Sequence, residues 1–90
     1  PDVLKLRLKE EGFSHLFDWH DEPNTEYPEH SHKGMVSFYV LKGSVAFSGS
    51  INVIVKSGER FDVPVGIIHY AIVGTEGCDW IVGEEIEGDS

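Results

Sequence analysis

The most specific pattern in this chain is Gly58-Glu59-Arg60-Phe61-Asp62-Val63-Pro64-Val65-Gly66-Ile67-Ile68-His69, which joins two short apolar runs. Proline fixes φ and glycine tolerates unusual backbone angles, so Pro64-Val65-Gly66 predicts a tight turn between the two runs. Residues 67–73 are apolar enough to form a buried strand after that turn. The segment therefore predicts a strand that carries His69 near its start.

A second histidine pattern lies earlier in the chain, where His30 and His32 are separated by one serine. Residues i and i+2 of a strand point to the same face of a sheet, so both imidazoles share one face. With His69 on a neighbouring strand, three imidazoles would form one side of a metal coordination shell. His15 and His20 belong to no such pattern, and we expect neither of them to bind a metal.

Short apolar runs alternate with glycine-rich turns along the rest of the chain, and no segment of useful length has the helical period. The predicted strands cover residues 4–9, 13–19, 27–32, 36–41, 45–47, 51–55, 61–63, 67–73 and 80–82. A tight turn is expected at 42–44 and a loop at 74–77. This pattern predicts a single all-β domain over residues 1–90, built as a sandwich or a barrel.

Two of the predicted strands, 36–41 and 67–73, are apolar on both faces. A small barrel buries only one face of each strand inside, so another element must cover the outer face. The candidates are the N-terminal strand, a second subunit, or both. On this pattern we expect the protein to form a homodimer.

The two histidine patterns resemble the motifs of the cupin superfamily. The second motif corresponds to residues 58–69, where the matching positions are Gly58, Pro64, Gly66 and His69. The first motif corresponds to residues of about 27–43, where the histidine pair is followed by Tyr39-Val40-Leu41-Lys42-Gly43. The resemblance implies a single small cupin-type β-barrel, also described as a double-stranded β-helix or jelly roll. The composition of residues 84–90 separately predicts a solvated, acidic C-terminal tail.

The chain departs from the cupin motifs at two positions. Val36 stands where these proteins usually carry a glutamate ligand, and Val73 stands where many of them carry an asparagine. The resemblance therefore implies a metal site made of His30, His32 and His69. We expect this site to hold one divalent ion, and iron, manganese, nickel and zinc all remain open as its identity.

A pocket for a small molecule is expected beside this metal. If the strand register continues past the histidines, the side chains that face inward form an apolar wall, which suits a small, partly apolar ligand. The expected wall consists of Val36, Phe38, Ala71 and Val73, with Tyr27 at its mouth.

Three functional interpretations are compatible with such a site. The first is a metal-dependent enzyme acting on a small molecule, such as an iron-dependent oxygenase or an isomerase, because three imidazoles leave open positions on the metal. The second is a non-catalytic module, such as a sensor, that binds a small ligand or a metal. The third is a structural remnant that has kept the fold and lost the site. No general acid or base stands out near the histidines in the sequence, which disfavours a hydrolase, and a fold alone does not establish enzymatic activity.

The net charge of the chain limits the classes of partner that it can bind. Seven Lys and Arg residues against sixteen Asp and Glu residues give a net charge of -9, which repels nucleic-acid phosphates and anionic membranes. We therefore expect neither as a partner.

The single cysteine, Cys78, excludes an internal disulfide and favours a cytoplasmic location. We expect Cys78 to be a small buried residue rather than a reactive thiol.

Overall fold

The computed structural model describes residues 2–31 and 34–85, and His32 therefore lies outside the described residues. Within these residues, one helix is followed by six strands. In chain order the elements are α1 (Asp2–Glu10), β1 (His15–Asp21), β2 (Glu26–His30), β3 (Val36–Gly49), β4 (Val53–Lys56), β5 (Arg60–Val63) and β6 (His69–Glu84). The helix is too short and too polar to cross a bilayer, and no other helix of the described residues could do so.

Two long strands, β3 and β6, pair with each other and with all the remaining strands. Residues 78–84 of β6 pair with β1 and with the first half of β3, which also pairs with β5; we call this the β1 wall. Residues 69–73 of β6 pair with β2 and with the second half of β3, which also pairs with β4; we call this the β2 wall. The two walls face each other, since the rings of Phe38 and Phe47 have centroids 5.6 Å apart. The predicted all-β barrel is confirmed.

Both long strands bend where they pass from one wall to the other. Gly43 of β3 pairs with Cys78 of β6, and Val45 of β3 pairs with Val73 of β6. Four residues of β6 but only one residue of β3 lie between these two pairs, so β6 forms a large bulge there. Gly43 has a φ of +79°, and an added Cβ there would lie 1.9 Å from the carbonyl oxygen of Gly77. The predicted turn at 42–44 and the predicted loop at 74–77 are therefore wrong, because these glycines bend the strands without ending them.

The N-terminal segment is a helix, so the predicted strand at 4–9 is wrong. The leucines at positions 4, 6 and 8 alternate as in a strand, but Leu8 is fully buried while Leu6 is 54% exposed. Leu4 and Leu8 are four residues apart and lie on the same face of α1, where both join one apolar cluster. The segment is also rich in strong helix formers, and its acidic first turn and basic last turn suit the helix dipole.

The helix covers the outer face of the β1 wall. The apolar strands predicted that some element would cover their outer faces, and on this wall that element is α1. Leu8 packs with Phe13, Tyr39 and Ile81 in a cluster outside the barrel. The outer face of the β2 wall has no such cover among the described residues. Its large apolar side chains are between 41% and 60% exposed at Ile54, Tyr70 and Ile72.

An arginine from the histidine-bearing segment holds α1 in place. Arg60 forms an ion pair with Glu11, which directly follows the helix, with N–O distances of 2.5 and 2.9 Å. The same guanidinium donates to Tyr39 Oη at 3.0 Å and to Ser37 Oγ at 2.9 Å. The hydrogen bond from Arg60 keeps the pKa of the Glu11 carboxyl below its usual value. The role of this arginine is therefore to join the helix to β3 and β5.

Candidate functional site

A cavity of about 280 Å³ lies inside the barrel between the β1 wall and the β2 wall. Its surface is mainly aromatic, with rings from Phe17, Trp19, Tyr27, Phe38, Phe47 and Trp80. Only a few titratable groups line it, and these include His30, His69 and Glu84. A mostly apolar cavity with a few polar groups is the usual form of a small-molecule site.

Two of the three predicted metal ligands meet on the β2 wall. His30 ends β2, His69 begins β6, and the two residues are direct partners in the antiparallel pairing. Their ring centroids are 4.5 Å apart. An imidazole nitrogen lies about 2.1 Å from a bound metal, so two rings at this spacing can share one ion. His32, the third predicted ligand, lies outside the described residues.

The backbone determines which nitrogen each of these histidines would offer to a metal. His30 Nδ1 lies 2.7 Å from the carbonyl oxygen of Pro28, and His69 Nδ1 lies 3.0 Å from that of Ile67. A carbonyl oxygen only accepts hydrogen bonds, so each Nδ1 carries the proton and donates it. The lone pair of each neutral ring is then at Nε2. An Nδ1–H held by a backbone carbonyl is typical of metal-binding histidines.

The described part of the chain thus fits a metal site only in part. Among the described residues, 2–31 and 34–85, there is no group of three His, Cys, Asp or Glu side chains that could hold a metal ion. The imidazoles of His30 and His69 have matching tautomers, and His32, the third ligand of the predicted set, lies outside the described residues. The donor set of His30 and His69 suits zinc, iron and nickel, for which imidazole is a common ligand.

The predicted pocket residues divide into four that line the cavity and one that does not. Val36 and Phe38 line it from the β1 wall, and Ala71 and Tyr27 line it from the β2 wall. Val73 is fully buried in the apolar core and does not reach the cavity. Val73 pairs with Val45 at the bend, and both residues are fully buried.

A carboxylate outside the predicted site, that of Glu84, also lines the cavity. Glu84 is the last residue of β6 and has the same inward parity as Trp80 and Val82. It is the direct partner of Val36 on β3, the position that carries a glutamate in many cupins. Glu84 was expected to begin a solvated acidic tail, but the strand continues through it. Only the pairing between β3 and β6, which is not visible in one sequence, reveals this neighbour.

A hydrogen-bonded group fixes the aromatic side of the cavity. Tyr27 Oη lies 2.6 and 2.7 Å from the two carboxylate oxygens of Asp21, a residue only 7% exposed. Trp19 Nε1 donates to Asp21 Oδ1 at 3.2 Å and to Tyr27 Oη at 3.1 Å. Burial, together with the hydrogen bond to Asp21, raises the pKa of Tyr27 to about 12. Tyr27 therefore stays protonated near neutral pH and acts as a fixed wall of the cavity, not as a base.

The remaining histidines and the cysteine lie away from the cavity lining. His15 is exposed and its ring packs on Phe17. His20 contacts Asp79 and Glu22 at the protein surface, and these hydrogen bonds, above all that to Asp79, raise the pKa of His20. Cys78 is buried, which raises its thiol pKa to about 12. The expectation that Cys78 is buried is confirmed.

Solved structures with the same architecture identify the fold. An RmlC-like cupin from Shewanella frigidimarina superimposes with a TM-score of 0.67 and 21% identity over 82% of this chain and 68% of that one. A protein with a double-stranded β-helix domain from Klebsiella pneumoniae superimposes with a TM-score of 0.66 and 23% identity, over 78% of this chain and 64% of that one. The polyketide cyclase RemF from Streptomyces resistomycificus superimposes with a TM-score of 0.64 and 24% identity, over 84% of this chain and 58% of RemF.

These matches show that the chain has the cupin fold, as the resemblance of its motifs implied. The chain spans less than two thirds of the length of the Klebsiella protein and of RemF. No protein-family model and no curated protein sequence matches the chain. At this level of identity the likeness concerns the fold, and the function must be argued from the site.

Proposed function

We propose that this protein is a small metal-binding cupin that acts on a small molecule held in the barrel cavity. The observation that carries the proposal is the pair of imidazoles, His30 and His69, with both Nδ1 atoms fixed by backbone carbonyls at the wall of a cavity of about 280 Å³. His32 completes the set that the motif implies. We expect one divalent ion per chain.

Each part of the site has a distinct task in this proposal. A bound metal would supply a Lewis acid or a redox centre that can bind and activate a substrate. The carbonyl oxygens of Pro28 and Ile67 hold the imidazoles in the tautomer that a metal requires. The aromatic rings exclude water from the cavity and bury the apolar part of the substrate.

Among enzyme classes, an iron-dependent oxygenase or an isomerase agrees best with these residues. Neutral imidazoles would leave the full charge of the metal uncompensated, and the lining includes no Ser or Cys nucleophile among the described residues. RemF, which has the same fold, is a polyketide cyclase. This comparison supports small-molecule chemistry in a barrel of this kind without assigning a substrate to this chain.

The alternative is a non-catalytic binding module, and the composition of the cavity is the observation that favours it. The lining is mostly hydrocarbon and aromatic, and its tyrosine is already bonded to Asp21. Such a surface binds an apolar ligand well and offers few groups for proton transfer. Oxygen consumption by the iron-loaded protein, measured across thiols, diketones and phenolic acids, separates an oxygenase from a binding module.

Metal titration of the tag-free protein tests the proposal. We expect a stoichiometry of one, with an affinity that falls in acid because protonated imidazoles do not bind metals. His69→Ala and His30→Ala should each abolish tight binding. His20→Ala is the matched control, since His20 lies at the surface and should leave binding unchanged. Equal metal content in all four proteins would refute the assignment.

A further inference from the structure

The β1 wall ends in a carboxylate that the histidine site does not use. Glu84 is half-buried at the end of β6, between Val36 on β3 and His15 on β1. Its carboxylate takes part in none of the ion pairs formed by the described residues. Its carboxylate thus adds a polar, acidic group to an otherwise apolar wall of the cavity.

The carboxylate and the histidines lie at corresponding ends of opposite walls. Glu84 pairs with the first residue of β3, and His69 pairs with the last. Both positions thus lie at the ends of the paired strands that are farthest from the bends at 43–45 and 73–78. A molecule in the cavity would meet imidazoles on one side, a carboxylate on the other, and aromatic rings between them.

The size and surface of the cavity limit what such a molecule can be. A cavity of 150 Å³ lined by apolar side chains holds benzene, and the volume here is about 280 Å³. One substituted ring or two fused rings would fill this space. The rings of Phe17, Phe38 and Trp80 favour a planar ligand, because aromatic pairs gain energy in stacked and edge-to-face arrangements.

We propose that Glu84 recognises a hydrogen-bond donor, a hydroxyl or an amino group, on a planar aromatic molecule of one or two rings. The proposal rests on the function proposed above, because the far side of the same molecule would face the histidine site. A ligand with a carboxylate at that position is disfavoured, since it would meet the charge of Glu84 in a protein of net charge -9.

Three probes of one shape test this inference on the full chain in the presence of EDTA. Naphthol carries a donor, methoxynaphthalene carries only an acceptor, and naphthoate carries a negative charge, all at the same ring position. Binding is followed by NMR through the indole N–H signals of Trp19 and Trp80, both of which line the cavity. We expect naphthol to bind about tenfold more tightly than methoxynaphthalene, as for a hydrogen bond to a charged acceptor.

Two variants assign this selectivity to one carboxylate. Glu84→Gln keeps the size of the side chain and should weaken naphthol binding about tenfold while it strengthens naphthoate binding. Glu85→Gln removes the same charge one residue later, at a position outside the cavity lining, and should change neither affinity. Equal affinities for naphthol and methoxynaphthalene, no binding of any probe, or an unchanged naphthol affinity in Glu84→Gln would overturn the inference. If Glu84→Gln fails to fold, the ranking of the three probes on the unmodified protein still decides.

Failure of this inference is distinguishable from failure of the proposed function. The probes bind metal-free protein, so their ranking does not depend on whether the histidines hold an ion. Metal binding without donor selectivity would reject the role of Glu84 alone. Donor selectivity without metal binding would reject the metal site alone.

Discussion

The substitution Val36→Glu places a carboxylate beside one that already lines the cavity. Val36 and Glu84 are direct antiparallel partners and both line the cavity, so their side chains lie on the same face of the β1 wall. Directly opposed residues have Cβ atoms about 5 Å apart. In the metal-free protein, the new carboxylate would therefore face a like charge in a partly apolar setting.

Two terms determine the size of the effect. Like charges at opposed positions destabilise a sheet by up to about 1 kcal/mol. Moving a polar group into a partly apolar site without a partner costs about 1–3 kcal/mol in proteins, and the half-buried position of Val36 places this term near the lower end. The sum is about 2 kcal/mol, which lowers the melting temperature of a domain of this size by roughly 8–16 °C.

Thermal unfolding in EDTA, followed by circular dichroism, measures this change. Val36→Gln is the control for size and polarity, and it should lose much less stability than Val36→Glu. The double variant Val36→Glu with Glu84→Gln should recover part of the loss. Equal melting temperatures of Val36→Glu and Val36→Gln would refute the placement of Val36.

Three further predictions concern the surface of the barrel. Leu8→Ala should lower the free energy of unfolding by about 2–4 kcal/mol, because Leu8 is fully buried under α1, whereas Leu6→Ala should have a small effect in the same urea titration. A homodimer formed through the uncovered β2 wall should become monomeric in Ile72→Glu by light scattering, and a 10 kDa species of the unmodified protein would contradict this. The raised pKa of His20, due first to Asp79, means that its stabilisation is fully present below about pH 6.5 and is lost as pH rises through the raised value. The melting temperature of His20→Gln should therefore approach that of the unmodified protein above this range, and a constant difference at all pH values would contradict the shift.

The sequence predicts the barrel and the positions of His30 and His69 because both depend on local patterns. The Pro64-Val65-Gly66 turn and the strand alternation place His69 at the start of an inward-facing strand, where the structure also has it. His30 follows from the same alternation in β2. These features need no knowledge of which strands pair.

The features that the sequence missed depend on contacts between distant segments. Alternating leucines at the N-terminus predict a strand, and the packing of Leu8 against Ile81 decides for the helix instead. Glu84 becomes a cavity residue only through its pairing with Val36. In both cases the deciding partner lies far away in the chain.

Long-range proton–nitrogen NMR of the histidine side chains, recorded during titration with zinc, tests the central claim most directly. This measurement distinguishes the two nitrogens of each ring and reports which one binds the metal. We predict that Nε2 of His30 and His69 shifts to the metal-bound position while Nδ1 of both keeps its proton, as their contacts with Pro28 and Ile67 require. Coordination through Nδ1, or no change in either ring at one equivalent of zinc, would contradict the proposed site.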